Sequence, residues 1–171
     1  MFQKTLNQES SQTQSRLYLS LARTPAEIAE AQRLRYKVFA EEMGAQVSGT
    51  GGLDIDGFDD FCDHLLVRES NTHQVIGTYR ILSPHQAAQA GGYYSAGEFD
   101  LSRITHLFDR TVEVGRACVH QAYRSGGTIT MLWAGLAKYM QMHHYEYMIG
   151  CASVPMNDGG HAAASLFNRL K

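Results

Sequence analysis

The chain is poor in several residue types. Its 171 residues include three cysteines, three prolines and one tryptophan. The cysteines, Cys62, Cys118 and Cys151, are odd in number and none forms a C-x-x-C pair. This speaks against a disulfide framework and against a zinc site, and predicts reduced thiols that fill the core of a cytoplasmic protein. No apolar run approaches the roughly 18–20 residues that a membrane-spanning helix needs. The N-terminus has neither the basic flank nor the apolar centre of a signal peptide. Charge of one sign is also lacking. Fifteen Lys and Arg against 17 Asp and Glu leave a net charge of −2, which argues against a chain dedicated to nucleic acid.

What is present suits one soluble domain, with 44% hydrophobic and 19% charged residues. Residues 1–15 are polar and uniform, the texture of a mobile tail, and 16–171 read as the domain. RLYLSLA (16–22) alternates as a strand. Thr24 and Pro25 open a helix that runs to about Phe39, with Ile28, Ala31, Leu34, Val38 and Phe39 on its apolar stripe. Arg35 lies on the same stripe. It is either buried and received by carboxylates, or it snorkels at the stripe's edge. Residues 44–63 form a loop, first glycine-rich and then acidic, with Asp54 and Asp60 read as solvated.

HLLVRE (64–69) and QVIGTYRIL (74–82) read as a hairpin. Residues 83–104 are a long excursion with weak regular structure. TVEVGRACV (111–119) is a strand. The helix from about Thr128 to Met142 carries Ile129, Leu132, Trp133, Leu136 and Met140 on one face. YEYMIGCAS (145–153) is a further strand, and a last helix begins after Asn157. This order predicts a mixed α/β sheet. His143 and His144 suit the negative end of a helix, and no metal site is expected.

Two features point to chemistry. Arg124, Ser125, Gly126, Gly127 and Thr128 lead from a strand into a helix. Such a turn is either an anion cradle, built from backbone N–H groups and the helix N-terminus, or an ordinary tight turn that needs glycine. Glu113 and Arg116 lie three apart on the preceding strand. On a regular strand they face opposite ways; a β-bulge, plausibly at Gly115, would return them to one face. The alternative is a solvated strand edge.

Arg124, Gly127 and Ile129 occupy the fixed positions of R/Q-x-x-G-x-G/A, with Ile129 in place of the small residue. The segment resembles the acyl-donor-binding motif of the GNAT superfamily of N-acyltransferases. Arg35 with Val38 and Phe39, Asp56 with Asp59, Gly77 to Arg80, and Glu113 with Arg116 follow the order seen in N-acyl-homoserine lactone synthases. FDDFCDHLLV (58–67), GGYYSAGEFDLS (91–102) and EVGRACVHQAYRSGGTI (113–129) look more like the ornithine Nα-acyltransferases, often labelled hemolysin-like. Gly44 and Ala45 stand where the lactone synthases carry a tryptophan.

The resemblance implies a GNAT-like, mostly antiparallel sheet flanked by helices, with a bulged central strand. The family's strands beyond residue 153 are missing, so it also implies a domain incomplete at its C-terminus, with an exposed sheet edge through which copies could pair. The implied reaction moves a fatty acyl group from the 4′-phosphopantetheine thioester of acyl carrier protein to an amino acid, with no bound cofactor. Ornithine is the implied acceptor. A lactone synthase, another N-acyl amino acid synthase and a non-catalytic carrier-binding module are the alternatives. Partners are then acyl carrier protein, the amino acid and a membrane surface at most peripherally, without nucleic acid.

Glu113 is the implied general base and Glu98 the second choice, with Arg116 beside them. Ala117, Cys118 and residues Arg124 to Thr128 would hold the donor. Arg35, Asp56, Asp59, Asp63, His64 and Arg80 would form a charged cluster at the substrate, with His64 either a base or structural. Tyr93, Tyr94 and Phe99 would line the acyl chain or simply pack the loop.

Overall fold

A computed structural model describes residues 16–154 and 156–170; the tail expected over 1–15 lies outside them. The order is β1 (Leu17–Leu21), α1 (Pro25–Tyr36), β2 (Asp63–Glu69), β3 (Val75–Leu82), α2 (Pro84–Gln89), α3 (Ser95–Glu98), β4 (Thr111–Val119), α4 (Gly127–His143), β5 (Tyr147–Ile149) and α5 (His161–Leu170). The five strands form one sheet in chain order. β1 to β4 are antiparallel, and β5 runs parallel to β4.

Local chemistry sets the helix starts. Thr24 and Glu27 make a capping box with Pro25 in the first turn, so α1 begins where the sequence predicts. Instead of stopping, α1 loosens into a π-helical turn, Lys37–Glu42. Such turns are rare and favour functional sites. The excursion after β3 is more regular than expected. Ser83, Pro84 and Gln86 form a second capping box that starts α2, α3 follows, and a 3-10 run covers Ser102–Arg110.

The sheet is packed on both faces. Leu65, Val67, Ile81, Val112 and Val114 pack with Leu132, Leu136 and Tyr139 of α4. Leu66, Val75 and Cys118 pack with Ala31, Leu34 and Val38 of α1 and its π-helical turn. Each fully buried aliphatic side chain here contributes about 1.5–3 kcal/mol. Ile129 and Trp133, read from the sequence as part of the buried stripe of α4, are exposed, and Trp133 rests edge-on against Tyr79. β5 is also shorter than the predicted strand over 145–153, because the chain leaves β4 after Ile149.

Candidate active site

The site begins with a fault in β4. Arg80 pairs with Gly115 and Thr78 with Cys118, so one residue of β3 faces two of β4. That is the expected bulge, one step past Gly115. Arg116 carries the left-handed backbone, at φ 50°, a conformation costly for a non-glycine residue. Glu113, Gly115, Arg116 and Ala117 consequently line one cavity.

The opposite wall comes from the departing β5. A Cβ at Gly150 would collide with the Val114 carbonyl oxygen, so only glycine allows the strands this last approach. Beyond it, Cys151, Ala152 and Ser153 separate from β4 and line the opening. The cavity is about 510 Å³, within the range of small-ligand sites. Phe39 and Met43 from the π-helical segment join Val47, Phe58 and Tyr94 as its apolar wall.

Behind this wall, arginines and aspartates alternate. Arg35 is 1% exposed. Its Nε donates to Asp54 at 2.8 Å, and its two terminal nitrogens donate to Asp59 at 2.8 and 2.7 Å. Arg80 donates to Asp56 at 2.6 Å and to Asp59 at 3.0 Å. Arg116 reaches Asp56 at 3.3 Å and Asp54 at 3.5 Å. Burial pushes the Asp59 carboxyl up, but the hydrogen bonds and charge of Arg35, with Arg80 beside it, outweigh this and hold it well below the usual carboxylate range. Asp56 is lowered likewise, burial being outweighed by Arg80. Asp54, read from sequence as solvated, is fully buried in this network. It is the second acid that the buried guanidinium requires.

Glu113 is buried, and both of its oxygens are held by α3 and the residue before it. The Tyr94 and Ser95 backbone N–H groups donate at 2.6 and 2.7 Å, and the Ser95 hydroxyl donates as well. Of the about four acceptor positions of a carboxylate, three are filled.

Other sequence assignments are corrected. Asp63 is outside the cluster, because its strand position turns it to the α4 side, where it accepts from the Tyr139 hydroxyl at 2.7 Å. His64 is buried and does not line the cavity; its Nε2 lies 3.2 Å from the Asp59 carbonyl oxygen, and burial lowers its pKa. Glu98 is exposed, accepts from Tyr94 at 3.2 Å and does not line the cavity. Tyr93 is core, its hydroxyl donating to the Thr111 carbonyl at 2.6 Å, and burial pushes it up to about 12. Phe99 is exposed and away from the cavity, leaving Tyr94 as the one of the three on its wall. Cys118 is packed in the core as expected, whereas Cys62 is partly buried and lines the cavity; burial pushes each thiol up to about 12. Cys151, also assigned to the core, is exposed on the cavity wall because β5 has already ended.

The β4–α4 turn has the expected form. Gly126 takes φ 104°, and no side chain caps α4, leaving the amides at its start open. Arg124 donates to the Val119 carbonyl at 3.0 Å and to Glu42 at 2.5 Å. Thr128 is buried, whereas Ser125 and Gly127 are exposed. Sequence reasoning gives Ser95 no role and Cys151 only that of core filler. The one sequence signal for Cys151 is the glycine before it, in a strand that otherwise reads as continuous. Among the described residues, no group of three or more His, Cys, Asp or Glu is placed to hold a metal, and no helix is long and apolar enough to cross a membrane.

An acetyltransferase (GNAT) domain profile matches residues 34–134. L-ornithine Nα-acyltransferase of Rhizobium meliloti (strain 1021) is 43% identical over 145 residues, covering 79% of this chain and 49% of that protein. The protein of the same name from Brucella abortus (strain 2308) is 42% identical over 147 residues, covering 80% and 52%. The chain thus spans about half the length of the curated relatives it matches. Among solved structures, the lactone synthase LasI superposes with a TM-score of 0.59 at 21% identity, covering 91% of this chain and 78% of that one. FeeM, an N-acyl amino acid synthase from uncultured soil microbes, superposes at 0.62 with 17% identity, covering 87% and 77%. At these identities the structural likeness is one of fold.

Proposed function

This chain belongs to the GNAT acetyltransferase family, and from that premise we propose that it is an N-acyltransferase of ornithine-lipid synthesis. It moves a 3-hydroxy fatty acyl group from acyl carrier protein to the α-amine of ornithine. The observation that carries this reading is the cavity between β4 and the departing β5, with Glu113 and Arg116 on one side and an apolar wall of Phe39, Met43, Phe58 and Tyr94. The names of the relatives support ornithine as acceptor.

The acyl chain lies along the apolar wall, and the phosphate of the donor arm rests on the open amides of the β4–α4 turn. The thioester carbonyl faces the bulge at Arg116 and Ala117, whose amides receive the developing oxyanion. Arg116 binds the acceptor carboxylate, a fit for guanidinium geometry. Glu113 takes the amine proton and returns it to the sulfur of the donor arm, which leaves as a thiol.

Mass spectrometry tests the reading. The chain is incubated with a 3-hydroxyacyl carrier protein and a mixture of amino acids that includes ornithine. The expected product is Nα-acyl-ornithine, reduced roughly 10²–10⁴-fold in Glu113→Gln with circular dichroism unchanged. A different acylated amine replaces the acceptor. Absence of any product from a folded chain refutes the enzymatic reading in favour of a carrier-binding module.

A further inference from the structure

Ornithine brings two amines and one carboxylate to the site. The cavity lining holds two guanidinium groups, Arg80 and Arg116, and one acid, Glu113. Glu113 already accepts from the Tyr94 and Ser95 backbone N–H groups and from the Ser95 hydroxyl, and the reaction needs it at the α-amine. A second, charged ammonium therefore meets two like charges and no free carboxylate on the resting wall. The cluster behind the wall can supply one. The Asp56 side chain keeps 17% exposure, against 2% for Asp59 and none for Asp54. Its Oδ1 is fixed by two donors, Arg80 at 2.6 Å and the Phe58 backbone N–H at 2.9 Å. Among the described residues its Oδ2 has one donor, Arg116, at 3.3 Å. Arg116 can thus leave without loosening Asp56. Asp54, its other partner, keeps Arg35 at 2.8 Å.

We propose that the acceptor enters by splitting the Arg116–Asp56 pair. Its carboxylate takes Arg116, its side-chain ammonium takes the vacated Oδ2 of Asp56, and Asp56 thereby selects a diamino acid. This rests on the N-acyltransferase reading above. The exchange conserves paired charges: Arg116 trades one carboxylate for another, and Asp56 one cation for another. An amino acid with a neutral side chain completes only the first half. It draws Arg116 away and leaves a largely buried carboxylate oxygen without its donor, which costs the desolvation of that group. Selection of the second ammonium then needs no spare acid in the cavity. It is held in the resting ion pair, and a monoamino acid is rejected by what it leaves unpaired.

The test gives the full chain a 3-hydroxyacyl carrier protein and, in separate reactions, ornithine or norvaline, which has the same carbon chain without the side-chain amine. Product is followed by mass spectrometry to obtain kcat/KM for each, and fragment ions report which nitrogen is acylated. The expected wild-type preference for ornithine is roughly 10–100-fold, the worth of a hydrogen bond between charged groups, with the acyl group on the α-nitrogen. Asp56→Asn should bring that preference to within a few fold. Wild type that uses norvaline within a few fold of ornithine overturns the proposal and leaves the acyltransferase reading standing. So does a folded Asp56→Asn that keeps the wild-type preference, a preference lost in Glu98→Gln instead, or acylation of the side-chain nitrogen. No product from either amine refutes the acyltransferase reading and this proposal with it. If Asp56→Asn does not fold, Asp56→Glu keeps the charge and extends it by a methylene. It should move the preference from ornithine toward the shorter diaminobutyrate, and an unmoved preference overturns the proposal.

Discussion

Two charged regions of the molecule are built in opposite ways. Beneath α1, Arg35, Arg80 and Arg116 alternate with Asp54, Asp56 and Asp59, mostly buried. At the β4–α4 turn, a half-exposed Arg124 leans on Glu42, and the amides at the start of α4 have no side-chain cap. The first region spends its charges on itself. The second leaves its backbone donors open. Proximity of a charge to a cavity is therefore poor evidence that it touches substrate. Arg116 joins the two kinds: it is 32% exposed, with the longest contacts of the cluster, and it alone has slack to turn toward a ligand.

The contrast predicts where substitutions act. The largest effect is expected from Asp59→Asn, which leaves Arg35 and Arg80 short of a buried counter-charge. It should cost about 3–5 kcal/mol, read as the urea midpoint. Acid should reproduce part of that loss. Asp56 and Asp59 are held below their ordinary values, so the unfolded chain binds their protons more readily. Their contribution is complete above about pH 4 and drains away below it, visible as a falling melting temperature that Asp59→Asn flattens.

Arg124→Ala, at the turn, should leave the midpoint nearly unmoved and raise KM for the acyl donor by about tenfold, on the order of one charge-assisted hydrogen bond. An unchanged KM would reduce the turn to a mere connection. Glu42→Gln is expected to be smallest, below about 1 kcal/mol in stability because the pair is at the surface, and any fall in donor KM would mark Arg124 as competing between Glu42 and phosphate.

Periodicity and capping made much of this legible from sequence. Thr24 and Pro25, the hairpin, and the strand–turn–helix at 111–142 can be read from local rules. Arg35 on an apolar stripe announces a buried counter-charge without saying which acids supply it. Asp54 looked like any loop aspartate, since burial there arises from where residues 53–59 fold back under α1. Tyr93 and Tyr94 are neighbours of one type, yet one is core and the other cavity wall, a division set by the turn into α3. Cys151 was hidden because nothing local shows where β5 stops pairing. Spacing gave the bulge only as an option; the ladder places it.

The bulge also acts as a shift of reading frame along β4. Before it, even-numbered Val112 and Val114 pack under α4. After it, even-numbered Cys118 packs under α1 and odd-numbered Val119 under α4. A relative that lacked one residue between Gly115 and Cys118 would keep both halves of the strand facing as they do here, yet lose the bulge itself. Insertions and deletions at this point are therefore a better guide than percent identity to whether a distant relative keeps this cavity.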